Sequence, residues 1–192
     1  MNSITTGDKL SVRELRWEDM EDCVENYYSY FDELRDNEDL GLVLSAEKPS
    51  LATEVRWFAE LYSAVLEQKA FACVAVAGGK VVGMCEVRRR DTRPALFHTA
   101  TLGIAVRRGF RGRGAGEMML RWSLARCTGR FEVIYLTVFS TNTEAKRLYE
   151  KVGFRVCGIW PKAIKRGSRY FDEVEMAIEL PSAKEQQKEM NA

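Results

Sequence analysis

Between Gly103 and Gly116 the chain reads Gly-Ile-Ala-Val-Arg-Arg-Gly-Phe-Arg-Gly-Arg-Gly-Ala-Gly, then runs straight into a helix-like segment, Glu117 to Cys127. An apolar, strand-like run therefore ends in glycines and arginines that open a helix. Glycines alone make an ordinary surface turn. Placed between a strand and a helix they make an anion cradle: a backbone without Cβ atoms comes close to a ligand, and the first turn of the helix offers unpaired N–H groups with a partial positive charge. Phosphate or pyrophosphate is the ligand such a junction takes. Two familiar versions are excluded by spacing. Counting from Gly112 gives G-x-G-x-G, which breaks the dinucleotide fingerprint G-x-G-x-x-G, and no Lys-Ser or Lys-Thr follows Gly116 as a Walker loop requires.

Composition narrows the class. With 192 residues, 46% of them hydrophobic, the chain supplies one well-buried core and too little for two comfortable domains. Twenty-nine basic residues against 28 acidic ones leave a formal charge of +1, so no global field advertises nucleic acid or an anionic membrane as a partner. Cys23, Cys73, Cys85, Cys127 and Cys157 are odd in number, lack a C-x-x-C pair and read as reduced thiols. A single histidine, His98, argues against a multi-histidine metal site. No apolar run reaches membrane-spanning length and the first eight residues carry no leader pattern, which gives the expectation of a cytoplasmic, metal-free protein.

Periodicity places the elements. A short strand is expected within Lys9 to Arg16, followed by an amphipathic helix from about Glu18 to Asp36 and a second helix opened by Pro49-Ser50. Phe71 to Ala77 and Lys80 to Arg88, joined by Gly78-Gly79, read as a hairpin. The charged turn Arg88 to Pro94 leads into a strand from Ala95 to Val106, and the glycine loop into a helix from Gly114 to Cys127. Phe131 to Phe139 reads as a strand, Thr141-x-x-Glu144 as a capping box opening a short helix that ends at Gly153. Phe154 to Trp160 and Tyr170 to Leu180 close the sheet, joined by the loop Pro161 to Arg169. This order describes one α/β domain, residues 9–180, with frayed termini at 1–8 and 181–192.

Two motifs carry a resemblance. Arg111-x-x-Gly114-x-Gly116 after Ile104-x-Val106 resembles the acyl-CoA signature of the GNAT superfamily of N-acetyltransferases. The stretch Asn142 to Phe154 resembles that superfamily's Asn-x-x-Ala-x-x-Leu-Tyr-x-x-x-Gly-Phe segment, and Gly158-x-x-Pro161 with Gly167-x-x-Tyr170-x-Asp172-Glu173 resembles the branch that acetylates ribosomal-protein N-termini, polyamines and small amines. The resemblance spans nearly the whole chain. It implies a mixed, mostly antiparallel sheet of about seven strands, flanked by four helices, with a V-shaped splay between strands 4 and 5. It also implies acetyl-CoA as co-substrate, with its arm on Ile104, Ala105 and Val106, its pyrophosphate on Arg111, Gly112, Arg113, Gly114, Ala115 and Gly116, a hydrogen bond from Asn142, and Tyr149 as general acid toward the departing thiolate. A homodimer through the C-terminal strands is the family's habit.

The base is where the chain departs from that pattern. The glutamates many relatives carry on strands 4 and 5 are Thr101 and Thr137 here, and neither can act as a base at neutral pH. An amine attacks only with a free lone pair, so a proton acceptor is still needed. Glu86, acting through water, and His98 are the candidates, beside plainer roles as a partner for the arginine turn and as a strand residue, and direct transfer with bulk water taking the proton is the remaining alternative. Tyr28, Phe31 and Trp57 are expected to wall the acceptor pocket, with Tyr170 and Asp172 at its border. These residues point to transfer of an acetyl group to a primary amine, a small molecule or a protein N-terminus, by direct attack in a ternary complex. The missing glutamates keep open a non-catalytic acyl-CoA sensor or scaffold. An RNA-binding protein using Arg88 to Arg93 and Arg107 to Arg113 is opposed by the near-neutral charge.

Overall fold

A computed structural model describes residues 9–36, 41–42, 44 and 47–181 of the chain. In order its elements are β1 (Ser11–Glu14), α1 (Met20–Asp36), α2 (Leu51–Leu66), β2 (Ala70–Ala77), β3 (Lys80–Arg89), β4 (Thr99–Val106), α3 (Ala115–Cys127), β5 (Val133–Phe139), α4 (Thr143–Lys151), β6 (Arg155–Arg166) and β7 (Arg169–Glu179). The seven strands form one sheet in the order β1-β2-β3-β4-β5-β7-β6. Every pairing is antiparallel except β4 with β5. The expected α/β class, strand number and four helices are all present among the described residues. Apart from Pro181, the termini expected to fray lie outside them, as does much of the link between α1 and α2.

β2 shows why the sheet is covered on both faces. Its run Ala-Phe-Ala-Cys-Val-Ala-Val-Ala has no polar side chain, and alternate residues point to opposite faces. Ala70, Ala72 and Val74 pack with Phe58 and Leu61 of α2 and Cys23 of α1, while Phe71, Cys73 and Ala75 join Met119, Leu120 and Leu124 of α3. Leu148 and Tyr149 place α4 on the α3 side. One face of the sheet is thus covered by α1 and α2, and the other by α3 and α4.

Several boundaries differ from the sequence reading for identifiable reasons. Pro94 starts a 3-10 turn, Pro94–Leu96, so the strand expected from Ala95 begins only at Thr99. Asn142, not Thr141, caps α4: its Oδ1 accepts from the Ala145 amide at 3.1 Å. The expected loop Pro161 to Arg169 is instead strand on both sides of a tight turn at Gly167. Pro161 and Lys162 are absorbed in a bulge between Trp160 and Ile164, where Lys162 takes φ +53. Ser50 caps α2 as expected, accepting from the Thr53 amide at 3.2 Å, an arrangement that stabilises a helix by about 1 kcal/mol.

Candidate active site

β4 and β5 are paired only at Thr99, Ala100 and Thr101 with Val133, Ile134 and Tyr135. Beyond that point β4 keeps its antiparallel partner β3 through Val106, and β5 keeps β7 through Phe139, so the two strands part company at the centre of the sheet. The resulting cleft, about 1140 Å³, is lined by Leu102 to Val106, the glycine loop, Thr137 to Phe139 and the start of α4.

Which main-chain groups of β4 face this cleft follows from alternation. The Arg107 amide donates to Val82 of β3, and Thr99 accepts from Arg90, so the odd-numbered residues turn their N–H and C=O toward β3. The even-numbered ones, Leu102, Ile104 and Val106, turn theirs into the gap. Ile104 therefore presents both groups to the cleft and Ala105 presents neither, which separates two residues the sequence reading treated alike.

The loop is set by Gly114, which takes φ +86 as the residue before α3. A Cβ there would point into open space, so glycine is needed for the backbone conformation and not to avoid a collision. Gly116 has a different reason: a Cβ would lie 3.0 Å from Leu148 Cδ2, and its absence lets α3 approach α4. Among the described residues, no backbone carbonyl outside the helix takes the amides of Gly112, Gly114, Ala115 or Gly116 in hydrogen-bonding geometry. These are the free donors an anion needs.

The two loop arginines sit in different surroundings. Arg111 gives both terminal nitrogens to the carboxylate of Glu33, a buried residue of α1, and its Nε to the Val106 carbonyl at 2.8 Å. It thereby ties α1, the end of β4 and the loop together, and the carbonyl at the open edge of β4 is satisfied. Arg113 stacks on Phe110 at 5.2 Å and does not line the cleft.

On the α4 side, Tyr149 lines the cleft and is 8% exposed. Burial pushes its phenol up to about 12, so it holds its proton throughout the neutral range. Its ring meets Phe154 edge-on at 6.0 Å. Asn142 also lines the cleft; with Oδ1 engaged as a cap, its amide nitrogen is the available group, and a Cβ on Gly41 would collide with it.

From β3, Glu86 reaches the cleft across from Gly103, where an added Cβ would lie 3.6 Å from its carboxylate, an ordinary van der Waals contact. Its Oε2 accepts from Arg88 Nε at 2.8 Å, and Arg88 lies over the Trp57 ring at 5.5 Å. One Arg88 nitrogen is buried without a hydrogen-bond partner. The structure does not bring His98 here: it sits exposed in the turn before β4, with its carbonyl accepting from Glu132 and Val133. Thr137 lines the cleft, whereas Thr101 does not.

The other expected acceptor residues also stand outside the cleft lining. The Tyr28 hydroxyl donates to the Pro49 carbonyl at 2.9 Å, and Phe31 packs edge-on with Tyr27 at 5.4 Å. Trp57 backs Arg88. Tyr170 is 53% exposed beneath Lys165, and Asp172 accepts from the Lys162 amide at 2.8 Å, pinning the β6 bulge. The side chain that does reach the cleft from β7 is Glu173. Alternation was the signal for it, since a neighbour of Asp172 on a strand must face the other way. Among the described residues, no group of three or more His, Cys, Asp or Glu side chains is arranged to hold a metal ion.

The sequence profile of the acetyltransferase (GNAT) family matches residues 10–154. The chain is 34% identical over 106 residues to the L-amino acid N-acetyltransferase AaaT of Escherichia coli strain K12, an alignment covering 54% of this chain and 65% of that one, so it spans just under two thirds of that relative's length. It is 29% identical over 174 residues to the SPbeta prophage-derived N-acetyltransferase YokL of Bacillus subtilis strain 168, covering 88% and 89%. Among solved structures, a phosphinothricin acetyltransferase of the GNAT superfamily from Sinorhizobium meliloti, in complex with acetyl-CoA, superposes with a TM-score of 0.75 at 20% identity, covering 91% of each chain.

Proposed function

The chain belongs to the acetyltransferase (GNAT) family, and from that premise we propose that it is an N-acetyltransferase that uses acetyl-CoA to acetylate a primary amine by direct attack within a ternary complex. The observation that carries this reading is the junction of the open β4 edge with the unpaired amides of the α3 first turn, which fits an extended arm ending in a pyrophosphate.

Ile104 offers the arm one donor and one acceptor in the manner of strand pairing. The amides from Gly112 to Gly116 hold the diphosphate, and Arg111 keeps them in place from behind through Glu33. Acetyl-CoA supplies a thioester whose carbonyl carbon an amine can attack. Tyr149, protonated and facing the same cleft, donates its proton to the sulfur as the C–S bond breaks. Asn142 orients the arm through its amide nitrogen. Glu86, fixed by Arg88, supplies negative charge beside the acceptor.

A free amino acid, the substrate class in the name of the Escherichia coli relative, is the first acceptor to try. A protein N-terminus and simple amines complete the panel. The test is thiol release from acetyl-CoA across these amines. Amine-dependent release is expected, and tight acetyl-CoA binding without release under any of them favours a sensor instead.

A further inference from the structure

With threonine at both strand positions where relatives carry a glutamate, the transfer lacks an evident proton acceptor. The cleft nevertheless has a further carboxylate besides Glu86, one to which the sequence reading gave no role although it ends the Gly167 to Glu173 motif. Glu173 lies on β7 directly across from Phe139 of β5 and Trp160 of β6, at the level where β5 gives way to Thr141 and Asn142. Its side chain lines the cleft and, among the described residues, takes part in no hydrogen bond or ion pair. Glu86, by contrast, already gives one oxygen to Arg88. Beside Glu173, the Phe139 and Phe171 rings pack at a tilt 5.7 Å apart, and the Arg166 guanidinium lies 4.8 Å over the Phe139 ring.

Resting on the acetyl-transfer reading above, we infer that Glu173 is the proton acceptor of this enzyme and that its acceptor is an amine carried into the cleft as an alkylammonium. The unpaired carboxylate binds the ammonium and takes one of its protons, leaving a neutral R–NH2. The nitrogen lone pair forms the C–N bond while the C–S bond breaks and the sulfur receives the Tyr149 proton. The second nitrogen proton restores the Tyr149 phenol through water, and Glu173 releases its own proton to solvent. The sum is one amide, one free thiol and one proton, with no oxidant or metal involved.

Among the described residues, the charged groups on this side of the sheet include Glu86 and Arg88 of β3, Arg90 beyond its end, Glu175 of β7, which stands 3.9 Å from Arg90, Arg166 of β6, and the pair of Arg111 with Glu33 of α1. Asp172 is turned away onto the bulge.

The experiment compares wild type with Glu173→Gln by thiol release at about pH 7 and about pH 9.5, using the best amine of the panel and trifluoroethylamine, which is uncharged near neutrality. Tyr149 stays protonated across this window. With the alkylammonium acceptor, the variant is expected to lose about 10²-fold in kcat at the lower pH and to recover most of that at the higher pH, where the free amine needs no base. With trifluoroethylamine, the two enzymes should differ by less than about fivefold at either pH. A deficit of the same size for both amines at both pH values marks a merely structural role and overturns the inference, as does a variant equal to wild type. A wild type that binds acetyl-CoA but releases no thiol with any amine is a separate outcome. It overturns the acetyl-transfer reading itself, and the inference with it.

Discussion

Tyr149 and Glu33 show how much a single side chain's surroundings decide here. Tyr149 is a buried aromatic on a short helix, a place where most tyrosines simply pack. The residue lines the cleft and burial keeps its phenol protonated, which suits it to give a proton to a leaving sulfur. Tyr149→Phe should lower kcat by about 10²-fold while leaving acetyl-CoA affinity nearly unchanged, measured by thiol release and calorimetric titration. Equal turnover would remove its role as the acid. Glu33 lies at the other extreme, a carboxylate with no place in any motif that holds the guanidinium of Arg111. Glu33→Gln removes a charge-assisted pair and should cost about 1–3 kcal/mol of stability by denaturant unfolding, together with weaker acetyl-CoA binding. An unchanged midpoint would mean the loop holds itself. The sequence displayed Arg111 but not its partner, because nothing local in α1 says which face will meet a loop 78 residues away. It likewise displayed both Asp172 and Glu173, and only the register of β7 against β5 and β6 decides that the second one faces the cleft.

Elements carried most of what could be read from the chain. Hydrophobic spacing located α1, α2, α3 and all seven strands to within a few residues, because amphipathic helices and a doubly covered sheet leave strong periodic signals. The exceptions are instructive. Pro94 delays β4 by imposing a 3-10 turn, and the bulge at Pro161 and Lys162 lets β6 continue past a residue that cannot donate to its neighbour. At the α3 N-terminus both glycines were legible but their reasons were not, since a backbone dihedral and a distance to Leu148 belong to the folded state. Gly114→Val asks a branched residue to hold φ +86, which costs roughly 1–2 kcal/mol or shifts the loop. Acetyl-CoA binding should be lost, read by calorimetry, with a lowered melting temperature. A variant that binds like wild type would show that the left-handed turn is dispensable.

For the whole molecule, the sheet is both scaffold and site. The core on the α3 side takes in β4 and β5, the core under α1 and α2 is built on β2 and β3, and the place where β4 and β5 separate is where the proposed reading puts coenzyme A. The same dense burial leaves a signature at high pH. The thiols of Cys23 and Cys127 are pushed by burial from 9.0 to about 12, and the phenol of Tyr149 from 10.0 to about 12. The fold then keeps protons that the unfolded chain has released, so the stability from these groups is intact below about pH 9 and is lost as pH rises toward about 12. Each contributes a slope of at most ~1.4 kcal/mol per pH unit. Urea midpoints should fall steadily between about pH 8.5 and about pH 10.5, and a flat profile would contradict burial of the thiols.

The central claim is that unpaired amides at the start of α3 hold the diphosphate of coenzyme A. Its most direct measurement is an amide NMR titration of the isotope-labelled protein with coenzyme A. The account predicts that the largest shifts fall on Gly112, Gly114, Ala115 and Gly116, with a second set at Ile104. If those resonances stay in place while others move, coenzyme A binds elsewhere and the reading built on this cleft is wrong.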